Sequence, residues 1–143
     1  MSEWTCNGET VTDEMSSKWV EDGFIGFVYI ITVPDGRMYV GKKLIVSKRK
    51  MKPLKGKTRK RSKMVETNWR EYWGSGDEVP RLLEEHSPSD FKREVIHLCK
   101  TKGEMSYKEL VEQMDRRVLE SSDYLNGIIQ VRIHRNHIPK QAS

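Results

Sequence analysis

The stretch that most constrains the fold runs from Gly26 to Lys43, with the sequence GFVYIITVPDGRMYVGKK. Two runs rich in valine, isoleucine and tyrosine flank Pro34-Asp35-Gly36, where proline fixes φ and Asp-Gly favours a tight turn. The pattern predicts an antiparallel β-hairpin. With a two-residue turn at Asp-Gly, Tyr39 is expected opposite Thr32, with Tyr29 further along the neighbouring strand. Whether the two phenols share a face depends on the register, since a shift of one residue turns a side chain over.

A basic segment follows the hairpin. Between Lys42 and Lys63 there are 12 basic residues and no acidic one, whereas the rest of the chain has 14 basic and 21 acidic residues. A run of this kind repels itself unless a polyanion is present, so nucleic-acid phosphate is the expected partner. The alternative is a solvated loop or a localisation tract. Pro53 and Gly56 make regular structure unexpected at its centre.

Length and composition limit the class of protein. A chain of 143 residues fits one domain and can bury a core without disulfides. The two cysteines, Cys6 and Cys99, indicate a reducing compartment. Neither a signal peptide nor an apolar run of membrane-spanning length is evident. We therefore expect a soluble, cytoplasmic protein with no membrane partner.

The remaining sequence predicts an α+β fold, with a small mixed or antiparallel three-stranded sheet flanked by helices. The acidic residues 1–23 lack sustained periodicity and are interpreted as an N-terminal extension to one domain, 24–143, with a basic insertion at 42–66. Three further elements are predicted: an aromatic turn at Thr67–Trp73, a helix from Ser75-Gly76-Asp77 to about His86, and a third strand at Phe91–Cys99.

The last helix is predicted to begin at Ser106, because Glu109 three residues later would complete a capping box. It is expected to end around Ser121-Ser122-Asp123, after a polar loop at Lys100–Glu104. Glu112 stands off the centre of the predicted buried stripe. That stripe, at helical spacing, consists of Tyr107, Leu110, Val111, Met114, Val118 and Leu119.

Six short motifs follow one another along the chain: Phe27-Val28-Tyr29, Tyr39-Val40-Gly41, Tyr72-Trp73-Gly74-Ser75-Gly76, the strand Phe91–Ile96, the helical Leu110-Val111-Glu112-Gln113 and Tyr124-Leu125-Asn126. Together they resemble the GIY-YIG nuclease domain, in the order found in its phage-type members, over roughly residues 25 to 130. Phe27 stands where the first motif of that family normally has glycine.

The resemblance implies a metal-dependent endonuclease that hydrolyses DNA phosphodiesters, in this case with Mg²⁺ or Mn²⁺. It implies Tyr29 as the general base or its assistant, Tyr39 as a residue near the phosphate, Glu112 as the metal ligand and Asn126 as a residue that shapes the metal pocket. A phenol is a poor base near its ordinary pKa, so Tyr29 would need nearby cations to lower that value, and the basic segment offers them.

The phosphate is also expected to need a guanidinium. The family's usual spacing favours Arg49, whereas Arg70 sits on an aromatic turn that would hold it still. We favour Arg70 on preorganisation and assign Lys42, Lys43, Lys48 and Arg49 to DNA contacts.

Other interpretations of the same residues stay open. Glu112 is otherwise an exposed helix carboxylate, Asn126 a turn residue, and His134-Arg135-Asn136-His137 a polar tail and not a metal site. The chain as a whole could instead be a non-catalytic nucleic-acid-binding module that keeps the nuclease fold, or a protein-interaction domain with a disordered basic arm. Target specificity is expected from the basic insertion, from a partner or from a homodimer, or is low.

Overall fold

The computed structural model describes residues 3–56 and 61–139. Over these ranges strands and helices follow one another in the order listed here, with short 3₁₀ turns at Trp69–Glu71, Pro88–Asp90 and Arg135–His137. The elements are β1 (Trp4–Cys6), β2 (Glu9–Thr10), α1 (Asp13–Glu21), β3 (Gly26–Thr32), β4 (Met38–Leu44), β5 (Val46–Met51), β6 (Arg61–Glu66), α2 (Glu78–Glu85), β7 (Lys92–Cys99) and α3 (Lys102–Asp115).

The main sheet has five strands in the order β2-β1-β7-β3-β4, and β5 pairs with β6 in a separate two-stranded sheet. β1 is parallel to β7, and the other neighbours are antiparallel. The predicted α+β class and the third strand, β7, are confirmed. The N-terminal residues add two strands that the sequence did not indicate, and Trp4 is buried in the core at 3% exposure.

The hairpin register differs from the prediction by one residue. The Gly36 amide donates to the Val33 carbonyl and the Val33 amide donates to the Arg37 carbonyl, both at 2.9 Å, so the loop has three residues. Gly36 has a φ of +95°, as this turn with a following left-handed residue requires. Tyr39 therefore faces Ile31, and the expectation that it faces Thr32 is wrong.

This register places the two tyrosines on one face of the sheet. Tyr29 faces Gly41, two residues along from the pair formed by Tyr39 and Ile31. Their rings lie 29° from parallel with centroids 6.4 Å apart. The face that they share packs against Trp4 and the rest of the larger hydrophobic core.

Both faces of β3 are buried, which explains its nearly continuous apolar sequence. The face with Tyr29 belongs to a core cluster with Trp4 of β1, Trp69 of the aromatic turn and Phe91, the residue before β7. The opposite face carries Val28 and Ile30 and packs against Met105 of α3. α3 therefore covers the side of the hairpin that the tyrosines do not use.

The position of α2 agrees with its prediction, whereas α3 begins and ends earlier than predicted. α2 lies where the sequence placed it, with Asp77 at its N-cap. The N-cap of α3 is Thr101, five residues before the predicted Ser106, and its hydroxyl accepts a hydrogen bond from the Glu104 amide at 3.0 Å. The helix ends at Asp115, ahead of Arg117, whose φ is +51°.

The buried side of α3 is also not the predicted one. Met114 and Leu119, placed in the stripe by their apolar character, are 59% and 51% exposed, and of the predicted stripe Val118 is fully buried, beyond the end of the helix. Met105 and Gln113 are buried, with exposed fractions of 4% and 6%. The inward face thus carries polar side chains that an apolar stripe does not reveal.

The flanks of the basic segment form β5 and β6, while residues 52–56 have no regular structure, as predicted for its centre. Residues 57–60 of this segment lie outside the described ranges. Among the helices described, none has the length and apolar character needed to cross a membrane.

We predict that Gly41→Ala destabilises the fold by about 1–3 kcal/mol, the usual cost of overpacking a core. A Cβ at position 41 would collide with the Tyr29 hydroxyl and its ring carbon. Gly127→Ala is the matched control, since nothing lies within 4 Å of a Cβ there. Urea unfolding measures both, and equal midpoints for the two variants would contradict the tight contact.

Candidate functional site

A cavity of about 360 Å³ opens at the exposed edge of β4. β4 is the last strand of the sheet, so side chains from both of its faces reach this edge. Tyr39 comes from the face of the aromatic core and Lys42 from the face covered by α3. We call this cavity the β4 pocket, and its other lining residues include Tyr72, Ser75, Glu109, Gln113 and Asn126.

Tyr39 is held in the pocket by the loop that follows the aromatic turn. Its hydroxyl lies 3.0 Å from the Ser75 hydroxyl. The loop backbone runs against the Tyr39 ring at Gly74 and Gly76, and the φ of +97° at Gly74 favours glycine there. Burial raises the pKa of Tyr39, although its hydrogen bond with Ser75 opposes the shift.

Tyr29 lies behind Tyr39 and does not line the pocket. Its side chain is fully buried, and its hydroxyl makes no hydrogen bond of ordinary geometry with any described residue. Burial raises its pKa strongly, and the neighbouring hydroxyls of Tyr72 and Tyr39 raise it further. The expected lowering of this pKa by cations is therefore not met, since its environment shifts it in the opposite direction.

Glu109 faces the pocket from α3. Its side chain is 15% exposed, and one carboxylate oxygen lies 3.9 Å from the Lys42 ammonium. That ammonium also donates to the Ser106 hydroxyl at 2.7 Å. Burial raises the pKa of Glu109, and the charge of Lys42 offsets part of the rise.

Sequence reasoning missed Glu109 because it assigned this side chain to a cap with Ser106. The helix is in fact capped five residues earlier, at Thr101, which leaves Glu109 free to point inward. The available signal was the spacing of Met105, Glu109 and Gln113, which recur every four residues along one face.

Glu112, the residue predicted to bind metal, is not brought together with the tyrosines. One of its oxygens lies 2.7 Å from His97 Nε2, and the other accepts from Arg116 Nε at 2.9 Å. Burial raises the pKa of Glu112, but these two hydrogen bonds and charges outweigh that effect and leave it lowered. The geometry is that of a carboxylate tying α3 to β7.

Asn126 lies in the pocket wall and holds the edge of β4. Its side-chain oxygen accepts from the Val40 amide at 3.0 Å, and its nitrogen donates to the Val40 carbonyl at 2.8 Å. The side chain thus pairs with Val40 as a neighbouring strand would. The preceding segment is tied to the same edge, since Met38 exchanges backbone hydrogen bonds with Asp123 and Leu125.

Neither arginine that the sequence proposed lines the pocket. Arg70 is on the predicted turn beside the buried Trp69, but its guanidinium contacts Asp13 at 2.6 Å and Glu66 at 3.0 Å, on the side of α1. Arg49 is exposed on β5. Arg81 of α2 lines an adjoining cavity of about 340 Å³ that also contains Tyr39 and Asn126.

The lysines assigned to DNA contacts fall in two places. Lys42 lines the pocket, and Lys43 lies over the Tyr72 ring at 4.3 Å from its centroid. Burial lowers the pKa of Lys43. Lys48 is exposed on β5.

No group of three or more histidine, cysteine or acidic side chains that could hold a metal ion occurs in residues 3–56 and 61–139. His134 and His137 each accept a backbone hydrogen bond at Nδ1, which fits their interpretation as part of a polar tail. A metal in the β4 pocket would therefore have Glu109 as its carboxylate. One carboxylate is compatible with Mg²⁺, which keeps several of its waters.

A family model described as "Putative endonuclease segE, GIY-YIG domain" matches residues 4–129, most of the chain. The match begins at β1, so it includes residues that the sequence assigned to an extension. Neither a search of curated proteins nor a search of solved structures found a match.

We predict that Asn126→Ala speeds hydrogen exchange at the Val40 amide, because that amide loses its acceptor at an otherwise open edge. Gln113→Ala is the control, since Gln113 donates only to the Val40 carbonyl, at 3.3 Å. Exchange monitored by NMR would show protection lost in the first variant and kept in the second. Unchanged protection in both would mean that Asn126 does not hold the strand.

Proposed function

Because the chain belongs to the GIY-YIG endonuclease family, we propose that it is a metal-dependent DNA endonuclease that hydrolyses phosphodiesters in the β4 pocket. The observation that carries the proposal is the convergence of Tyr39, Lys42 and Glu109 on one cavity. These residues, from β4 and α3, supply a hydroxyl, a cation and a carboxylate around a single cavity. Such a set is what hydrolysis of a phosphodiester requires.

We propose Glu109 as the ligand of a divalent ion, Mg²⁺ or Mn²⁺. Its carboxylate is shielded from solvent and reaches the pocket, whereas the oxygens of Glu112 are occupied by His97 and Arg116. When bound, such an ion would stabilise the negative charge that develops on the phosphate and the leaving oxygen. The amide of Asn126 is already committed to Val40, so its part in the proposal is to position β4.

The other residues bind and orient the phosphate in this proposal. The raised pKa of Tyr39 keeps its hydroxyl protonated at neutral pH, so it can donate a hydrogen bond to a phosphate oxygen. Lys42 and Arg81, on either side of Tyr39, provide positive charge. Tyr29 also stays protonated. We assign Tyr29 to the support of Tyr39 and do not give it the role of general base.

We predict that Glu109→Gln lowers the rate of plasmid cleavage with Mg²⁺ by about a hundredfold or more, since a metal ligand supplies several kcal/mol of charge stabilisation. Glu112→Gln is the matched control, with the same change of charge on the same helix, and should stay within a few-fold of the parent. Mn²⁺ binding by calorimetry should follow the same order.

The reverse order would restore Glu112 as the metal ligand. If neither variant nor the parent cleaves DNA with any divalent ion, the chain is a nucleic-acid-binding module that keeps the fold without the chemistry. Circular dichroism of both variants shows whether a lost activity reflects lost folding.

We predict opposite shifts for these two carboxylates in the metal-free protein. Glu109 should titrate above the ordinary glutamate pKa of 4.5 and Glu112 below it. Glu112 then contributes stability that is present above its unfolded-state pKa and is lost as the pH falls through its lower folded-state pKa. NMR of the side-chain carboxyl carbons gives both midpoints, and a Glu109 midpoint at or below 4.5 would contradict its burial in the pocket.

A further inference from the structure

The flanks of the basic segment form a ribbon that stands apart from the main sheet. We call β5 and β6 the basic ribbon, which has six antiparallel pairs from Val46–Glu66 to Met51–Arg61. Neither strand belongs to the five-stranded sheet. At about 3.3 Å per residue, the ribbon extends roughly 20 Å.

The root of the ribbon is firmly attached to the core. Ile45 is 1% exposed, and its amide donates to the Ile25 carbonyl at 2.7 Å. Thr67, just after β6, donates through its amide to the Ile45 carbonyl at 2.9 Å and through its hydroxyl to the Leu44 carbonyl at 2.5 Å. The residue before β5 and the residue after β6 are therefore hydrogen-bonded to each other and to the core, which fixes the direction in which the ribbon leaves the body.

Two cations of the ribbon, Arg49 and Lys63, have no acidic partner among the residues that the structure describes. Arg49 lies directly opposite Lys63, and like charges in such a pair are unfavourable. Both are exposed, and in the described part of the chain no carboxylate lies within ion-pair distance of either. Glu66, at the base of the ribbon, is engaged by Arg70.

We propose that the basic ribbon enters the major groove of double-stranded DNA and places Arg49 and Lys63 against it, an inference that rests on the proposed nuclease function. Two paired strands are 4.7 to 4.9 Å apart before their side chains are added. The major groove, about 12 Å wide, admits such a ribbon, whereas the minor groove, about 6 Å wide, would have to be forced open.

A duplex fits this surface better than a single strand. Proteins that bind single strands stack the bases on aromatic side chains along a basic groove. Residues 46–66 contain no phenylalanine, tyrosine or tryptophan. Charge without stacking platforms is suited to a duplex, whose phosphates and groove edges are accessible and whose bases are already stacked.

The position of the ribbon relates the bound site to the cut. Its root follows Leu44, three residues after Gly41 in the same strand that carries Tyr39 and Lys42. An arm of roughly 20 Å spans about six base pairs at 3.4 Å each. The ribbon therefore contacts DNA within about one helical turn of the phosphate in the β4 pocket.

The test measures binding of the full chain, in EDTA so that nothing is cleaved, to a 30-base-pair duplex of mixed sequence and to one strand of it. Duplex should bind more tightly than the single strand. Methyl green, which occupies the major groove, should compete, and netropsin, which occupies the minor groove, should not. Equal affinity for the two DNA forms, or competition by netropsin alone, would overturn the proposal without any need for a variant.

Arg49→Gln with Lys63→Gln should weaken duplex binding by about tenfold or more and reduce the slope of log affinity against log salt by about 2. The control is Lys18→Gln with Lys92→Gln, which removes the same charge from exposed residues elsewhere. It should change neither the duplex affinity nor the salt slope. Equal effects of the two double variants would also overturn the proposal.

Plasmid cleavage with Mg²⁺ separates this proposal from the function on which it rests. A chain that shows the groove competition and the loss in the ribbon variant but never cleaves DNA would leave the ribbon assigned and the nuclease function refuted. If the chain cleaves DNA but its ribbon variant binds duplex as tightly as the control variant, the nuclease function is supported and the role of the ribbon is refuted.

Discussion

The register between β3 and β4 decides which side chains meet in this protein. The loop at Pro34-Asp35-Gly36 closes on the pair of Val33 and Arg37, and every later pair follows from that closure. Because side chains alternate along a strand, this register puts Tyr39 and Gly41 on the face of Tyr29. Val40 and Lys42 lie on the opposite face, which α3 covers. A shift of one residue would exchange the two sets and remove the Tyr39 ring from the pocket.

The exposed edge of β4 is a second constraint, because an edge strand has unpaired backbone groups. Here the C-terminal segment pairs with the edge at Met38, and the Asn126 side chain continues that pairing at Val40. The strand is therefore held on both sides up to the point where Lys42 and Glu109 approach each other. The site occupies the part of the edge that the segment leaves uncovered, which gives it a rigid wall and access to solvent.

Much of this fold follows from local sequence. The hairpin, β7 and α2 have strong alternation, helical spacing or clear caps, and each lies where the sequence places it. β1 and β2 have two or three residues each, and β1 pairs with a strand nearly ninety residues away, so no local pattern announces them. The register was missed because Asp-Gly favours a two-residue turn, while Pro34 here belongs to the loop.

The candidate site was harder to predict for a physical reason. Apolar periodicity identifies the face of a helix that is buried in a core, but an active-site helix also turns polar residues inward. On α3 this rule selected Met114, which is exposed, and passed over Glu109 and Gln113. The order of motifs located the helix correctly within the chain, yet the two glutamates differ by less than one turn. Only the packed structure separates the one that faces the pocket from the one that binds Arg116.

For the arginines too, the sequence predicted where a residue lies in the fold but not where its side chain points. Trp69 anchors Arg70 as its sequence suggested, but anchoring determines how firmly a side chain is held and not where it points. Arg70 forms ion pairs with Asp13 of α1 and Glu66 of β6, so its charge is already compensated within the protein. Arg49 and Lys63 repel each other on an exposed ribbon and have no such partners among the described residues. A positive charge that is left uncompensated at a cost to folding is the one available to a polyanion, and here that charge lies on the ribbon.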